Sequence, residues 1–171
     1  MSKFMKIAFF TIALVLIWSV QVNAQISINK STIDVSSVLD FGAGTTKGII
    51  LPIVESLPTT AVNGTILMDK NEQKVKMKQN GVWVNMSGIG NVSRVNFNTS
   101  SDVSTNGIII GSPNSTALGV LVLESNTKAL ILPKINSPHL NVKSPVAGMI
   151  CYDTASNCVA IFDGTNWNYW K

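Results

Sequence analysis

Lys47-Gly48-Ile49-Ile50-Leu51-Pro52 decides how this chain is read, because 81 residues later it returns as Lys128-Ala129-Leu130-Ile131-Leu132-Pro133. The stretches that follow return as well. Thr65-Ile66-Leu67-Met68-Asp69, preceded by Gly64, matches Met149-Ile150-Cys151-Tyr152-Asp153, preceded by Gly148. Val75-Lys76-Met77 matches Val159-Ala160-Ile161, and Gly81-Val82-Trp83 matches Gly164-Thr165-Asn166-Trp167. The Val75 block is offset by 84 residues, so the second copy gained three residues after its proline and kept its order. Duplication of this kind builds modular or extended surfaces more readily than a single catalytic cleft. Pro52, Pro133, Gly64, Gly148, Trp83 and Trp167 stand out as the structural anchors of the repeat.

The periodicity is that of strands. Ile26 and Ile28 alternate with Ser27 and Asn29, and Val75 and Met77 alternate with Lys74, Lys76 and Lys78. Turn pairs recur at short intervals, among them Asn63-Gly64, Asn80-Gly81, Asn106-Gly107 and Asp163-Gly164. No window carries a sustained helical stripe. The expected fold is mainly β: two tandem repeats of short β-hairpins, extended or fibre-like, preceded by a cleaved signal helix. Residues 38–41 should pair with 48–51, and 65–69 with 74–78. In the second copy the expected partners are 120–123 with 130–132, and 149–152 with 159–162. The domain layout is then a signal peptide at 1–24, repeat 1 at 25–88, a polar linker at 89–111 and repeat 2 at 112–171. Val95 and Phe97 alternate within the linker and suggest a strand there.

Lys3 and Lys6, the apolar residues 7–18 and the small-residue pattern Val22-Asn23-Ala24 read as a secretory signal cut before Gln25. That apolar run falls short of the roughly 20 residues of a spanning helix. Cleavage would leave 147 of the 171 residues, and losing the two lysines lowers the net charge from +4 to +2. So weak a balance gives no footprint for nucleic acid. Only 13% of residues are charged, so Ser, Thr, Asn and Gly carry most of the polar surface. The expectation is a secreted or outer-surface protein with no membrane span after cleavage.

Catalytic signatures are missing. Gly42-Ala43-Gly44-Thr45-Thr46-Lys47 lacks the glycine before and the hydroxyl after the lysine that a phosphate loop needs, and a strand follows it. His139 is the only histidine, read as a solvated loop residue between Pro138 and Leu140. Asp69 and Asp153 hold equivalent strand-end positions, where a carboxylate caps a turn. No pair of acids converges as glycoside hydrolysis requires. The lysines at 70, 74, 76 and 78 read as a solvated face that guards a strand edge. The chain is therefore read as a non-enzyme with no cofactor, no catalytic residues and no metal site.

Two other groups carry more weight. Export favours oxidation, and in a hairpin centred on Thr154-Ala155 the cysteines Cys151 and Cys158 would lie directly opposite, so a disulfide is expected. At the C-terminus Trp167, Tyr169 and Trp170 cluster. Trp167 matches Trp83 and is assigned to packing, while Tyr169 and Trp170 are the contacts available to a ligand, as a stacking platform for sugars. Units of ~60 residues are marginal alone, and open edges invite pairing. A homo-oligomer, with a trimer favoured, is the expected form.

The segments Ser112-Pro113-Asn114-Ser115-Thr116-Ala117, Val122-Leu123-Glu124-Ser125 and Thr127-Lys128-Ala129-Leu130-Ile131-Leu132-Pro133 resemble the short repeat of secreted tail-fibre-like surface proteins of the Bacteroidota. Residues 145–153 and 162–167 continue that pattern, and residues 36–87 follow it more weakly. Ile53 and Lys134 stand where an arginine often follows the Leu-Pro pair. The resemblance implies shaft or collar elements, trimeric, that carry or precede binding heads. The expected function is structural or adhesive, by self-assembly and contact with a cell-surface glycan or protein. The competing expectation is a carbohydrate-binding module.

Overall fold

The computed structural model describes Lys3 and residues 25–95 and 107–171. The signal-peptide reading of residues 1–24 and the strand suggested at Phe97 lie outside the described residues. Within them the chain is nearly all β, in a solenoid-like stacked arrangement, with one single-turn helix.

The strands run in order β1 (Ile26–Ile28), β2 (Ser37–Phe41), β3 (Ile49–Ile50), β4 (Ile53–Val54), β5 (Ile66–Asp69), β6 (Lys74–Gln79) and β7 (Val82–Asn85). The second half adds β8 (Ile108–Ile110), β9 (Leu121–Leu123), β10 (Ala129–Leu130), β11 (Lys134–Ile135), β12 (Met149–Asp153), β13 (Cys158–Phe162) and β14 (Trp167–Trp170). Helix α1 (Pro138–Asn141) lies between β11 and β12. Ile108–Ile110 closes the polar stretch 89–111 as a regular strand.

The later hairpin of each copy forms as expected. β5 pairs antiparallel with β6, and β12 with β13. Several hydrogen bonds around them repeat. The Met68 amide donates to the Pro52 carbonyl and the Tyr152 amide to the Pro133 carbonyl, each at 2.9 Å. Gly64 and Gly148 enter these strands at φ of 89° and 84°, where glycine meets no Cβ penalty. Their amides donate to Lys78 and Phe162, each at 2.8 Å. Asn80 and Gly81, both at positive φ, form the tight turn that the twist of a two-residue hairpin requires. The two copies are one structural unit made twice.

The earlier hairpin forms in neither copy. Instead β1 runs parallel to β2, and β8 runs parallel to β9, again as matched pairs. The strands before the prolines cross over to the other copy. β10 adds to β2 in parallel, and β3 pairs antiparallel with β12. Burial explains the crossing: Val38 and Leu39 are 2% and 3% exposed, so β2 needs a neighbour on both edges and cover on both faces. A tight hairpin through residues 42–47 supplies only one. Gly42 instead donates back to Ile28 at 2.9 Å, and Gly48 lies so near Ile150 that an added Cβ would meet its carbonyl oxygen at 2.7 Å.

The main core is therefore shared. Met68, Val75 and Met86 of the first copy pack with Ala147, Ile150 and Ile161 of the second. Full burial of side chains of this size stabilises by about 1.5–3 kcal/mol each. A second cluster of Ile135, Val142, Met149, Cys151 and Ala160 lies on the far face of the β12–β13 sheet, against Phe162 and Trp167. Five residues after Pro133, α1 starts at Pro138, a residue suited to the first turn of a helix. Among the described residues no helix is long and apolar enough to cross a membrane.

Candidate functional site

Asp69 and Asp153 close equivalent turns with their carboxylates. Asp69 accepts from the amides of Asn71 and Glu72 at 2.9 and 3.2 Å. Asp153 accepts from the amides of Ala155 and Ser137, each at 2.9 Å, and from the Ser156 hydroxyl at 2.5 Å. Burial pushes the Asp153 carboxyl up, but the hydrogen bonds from Ser156, Ala155 and Ser137 outweigh it and leave it below the usual carboxylate range. Gln73 and Asn157 finish the two turns at φ of 54° and 55°.

This turn geometry corrects the placement of the cysteines. Asp153 pairs with Cys158, and Cys151 pairs with Ala160, so the hairpin is centred one residue later than expected. The four-residue turn that Asp153 caps moves Cys158 to a diagonal position, and both cysteines are free thiols. Cys151 is fully buried, and desolvation with the nearby Asp153 charge pushes its thiol up to about 12. A thiol so placed is an inert core residue rather than a nucleophile.

The lysines are not a solvated face. Lys76 is 5% exposed, with its ammonium 2.7 Å from Glu72 and 3.7 Å from Asp69. Its hydrogen bond holds the Glu72 carboxyl below its ordinary range. Lys78 reaches over the Trp83 ring, 5.3 Å from its centroid. In the second copy Ala160 and Phe162 replace these lysines, and the Trp167 ring packs 5.3 Å from that of Phe162.

The C-terminal aromatics divide between two faces. Neighbouring residues of β14 point to opposite sides, so Tyr169 and Trp170 do not make one platform. Trp170 turns back, its indole donating to the Met86 carbonyl at 2.5 Å. Trp167 and Tyr169 share the other face with His139, whose Nδ1 lies 3.0 Å from the Tyr169 hydroxyl. His139 is exposed to solvent as expected, but it sits on α1 with an aromatic partner rather than in a loop. Trp167, Tyr169 and His139, with Asp153, Ser156 and Asn166, line a wide groove of about 560 Å³. Among the described residues no cluster of three or more His, Cys, Asp or Glu could hold a metal ion.

Strand edges are the other surface of note, and residue types alone do not reveal them. Leu118, Val120 and Leu121 are 60%, 70% and 45% exposed, and Ile50 and Leu130 are 48% and 39% exposed. The signal that finds them is the repeat itself. Matched residues of the first copy, Val38 and Leu39, are buried.

Residues 107–171, from the turn before β8 to the C-terminus, match the family model of the phage tail like trimerisation region. No curated protein and no solved structure matches the chain. The second copy is therefore similar to a tail-fibre-like structural region of the kind that forms homo-oligomers.

Proposed function

We propose that this chain is an exported structural protein of the tail-fibre-like kind. Three copies assemble through strand edges and present polar turns to a surface partner. Its action is shape and contact, not catalysis. The observation that carries the reading is the match of residues 107–171 to a trimerisation region, over a segment whose strands leave apolar edges open. The fold supports it: a β repeat whose copies already pair across one another has the geometry to pair across chains. Apolar, lysine-poor export sequence at residues 7–18 and the largely uncharged polar surface favour the outside of the cell.

Sedimentation of the purified chain at micromolar concentration tests the assembly, with a trimer expected. A compact monomer would overturn it. Surface labelling of intact cells tests the location, with labelling expected without permeabilisation.

A second reading, carbohydrate binding, has the groove in its favour. Trp167 and Tyr169 present aromatic surface on one side of β14, beside the polar Asp153, Ser156 and Asn166. Quenching of tryptophan fluorescence by oligosaccharides, abolished in Tyr169→Ala, separates the two readings.

A further inference from the structure

Each strand before a proline has two edges, and in this chain each uses one. β3 turns the Leu51 amide to β12, where it donates to the Gly148 carbonyl at 2.9 Å. Alternation along a strand then aims the Ile50 amide at the other edge. β10 does the reverse. Its flanking amides at Ala129 and Ile131 donate to Ser36 and Leu39 of the β2 segment at 2.9 and 3.0 Å, which aims Leu130 and Leu132 outward. Matched by the repeat, Leu51 is the counterpart of Leu132 and Ile50 of Ile131. What one strand satisfies inside the chain, its twin holds open.

The surfaces these edges would need are open in the same complementary way. β9 is the counterpart of β2: Leu39 is 3% exposed under β10, whereas Leu121 is 45% exposed. Gly64 is the counterpart of Gly148. A Cβ at Gly148 would touch the Leu51 carbonyl oxygen at 3.4 Å, and at Gly64 it would meet nothing within 4 Å. The first copy thus carries an unused acceptor at Gly64 and an unused donor edge on β3. Among the described residues the second carries an unused donor edge on β10 and, on β9, an unused edge opposite the one that β8 occupies.

We propose that the second copy of one chain docks onto the first copy of another identical chain, repeating the joint that holds the two copies together within a chain. β10 lies antiparallel beside the start of β5, with the Leu132 amide donating to the Gly64 carbonyl of the next chain. β3 of that chain lies parallel on the open edge of β9, with the Ile50 amide donating to the Leu121 carbonyl. The contact is head-to-tail, so it generates a closed ring where the rotation closes. This deepens the assembly reading above and rests on it.

A chain carrying Thr65→Cys and Ile131→Cys tests the joint. These positions match Met149 and Ile50, which are direct cross-strand partners. Mild oxidation should give covalent multimers on a non-reducing gel, while either single variant stays monomeric under the same treatment. Leu121→Lys should weaken self-association at least tenfold, and Leu140→Lys, 61% exposed on α1, should leave it unchanged. Circular dichroism of each variant confirms that it is folded. A sedimenting trimer whose double-cysteine form yields only monomer would overturn this joint and leave the assembly reading standing. A monomer by both measurements would overturn both.

Discussion

β2 and β9 occupy the same place in the repeat and live in different surroundings. Each has a parallel partner before it in the chain, β1 or β8. Among the described residues only β2 has a second partner, and it is a strand of the other copy. The sequences answer this difference in one way and ignore it in another. Asp40 in β2, 2% exposed, is held by the Lys30 ammonium and by the Asp34 and Phe41 amides, whereas Val122 stands at its match. Yet Leu121 stays apolar although it is exposed. An apolar residue kept on an open edge, where its twin is core, is what the proposed docking of a second chain would cover.

The largest effect should come from testing that pair directly. Leu39→Ala should destabilise the chain by about 3 kcal/mol, since a fully buried leucine leaves a cavity. Leu121→Ala should cost under about 0.5 kcal/mol in the dilute monomer. At concentrations where the chain assembles, the two costs should draw together. Urea unfolding at two protein concentrations reads both. Equal costs in the monomer would show that β9 is already covered within one chain.

Much of this architecture is legible from residues alone. The two later hairpins follow from alternation along β6 and from the return of the same blocks in β12 and β13. The strand-end aspartates cap as their side-chain chemistry dictates. The pairing of β3 and β10 was not legible, because Ile49-Ile50 and Leu130-Ile131 are apolar on both sides and so satisfy any neighbour. Burial and register chose between partners that the local pattern left equivalent. The cysteine register failed for a related reason: a turn length cannot be counted until its capping carboxylate is known. Adjacency in sequence suggests a platform of Tyr169 and Trp170, but adjacency in a strand separates side chains rather than joining them.

Acid sensitivity should separate the copies at an intermediate scale. Asp40 in the first copy and Asp153 in the second both titrate below the usual carboxylate range, Asp40 through its hydrogen bond with Lys30. A carboxyl lowered by folding contributes stability that is present above its unfolded value, about 4. That contribution is lost as pH falls through the lower folded value. Stability against thermal unfolding should therefore fall below about pH 4. Asp153→Ala, which strands the amides of Ser137 and Ala155, should cost about 2 kcal/mol at neutral pH and flatten the acid response. An unchanged acid limb in that variant would assign the titration to the first copy alone.

The smallest effect tests the comparison most finely. Gly64→Ala and Gly148→Ala each place a Cβ at positive φ, 89° and 84°, so each carries a backbone cost of about 1 kcal/mol. In the free chain Gly148→Ala should cost a few tenths more, because its Cβ meets the Leu51 carbonyl oxygen at 3.4 Å while that at Gly64 faces open space. Once Leu132 of another chain occupies that space, Gly64→Ala acquires the same contact. Its extra cost should then appear only in the concentration-dependent part of stability, as weaker assembly, with the monomer no less stable than its Gly148→Ala counterpart. The same small difference between the two variants at every protein concentration would mean that nothing docks at Gly64. The asymmetry between the copies would then be a property of the isolated chain.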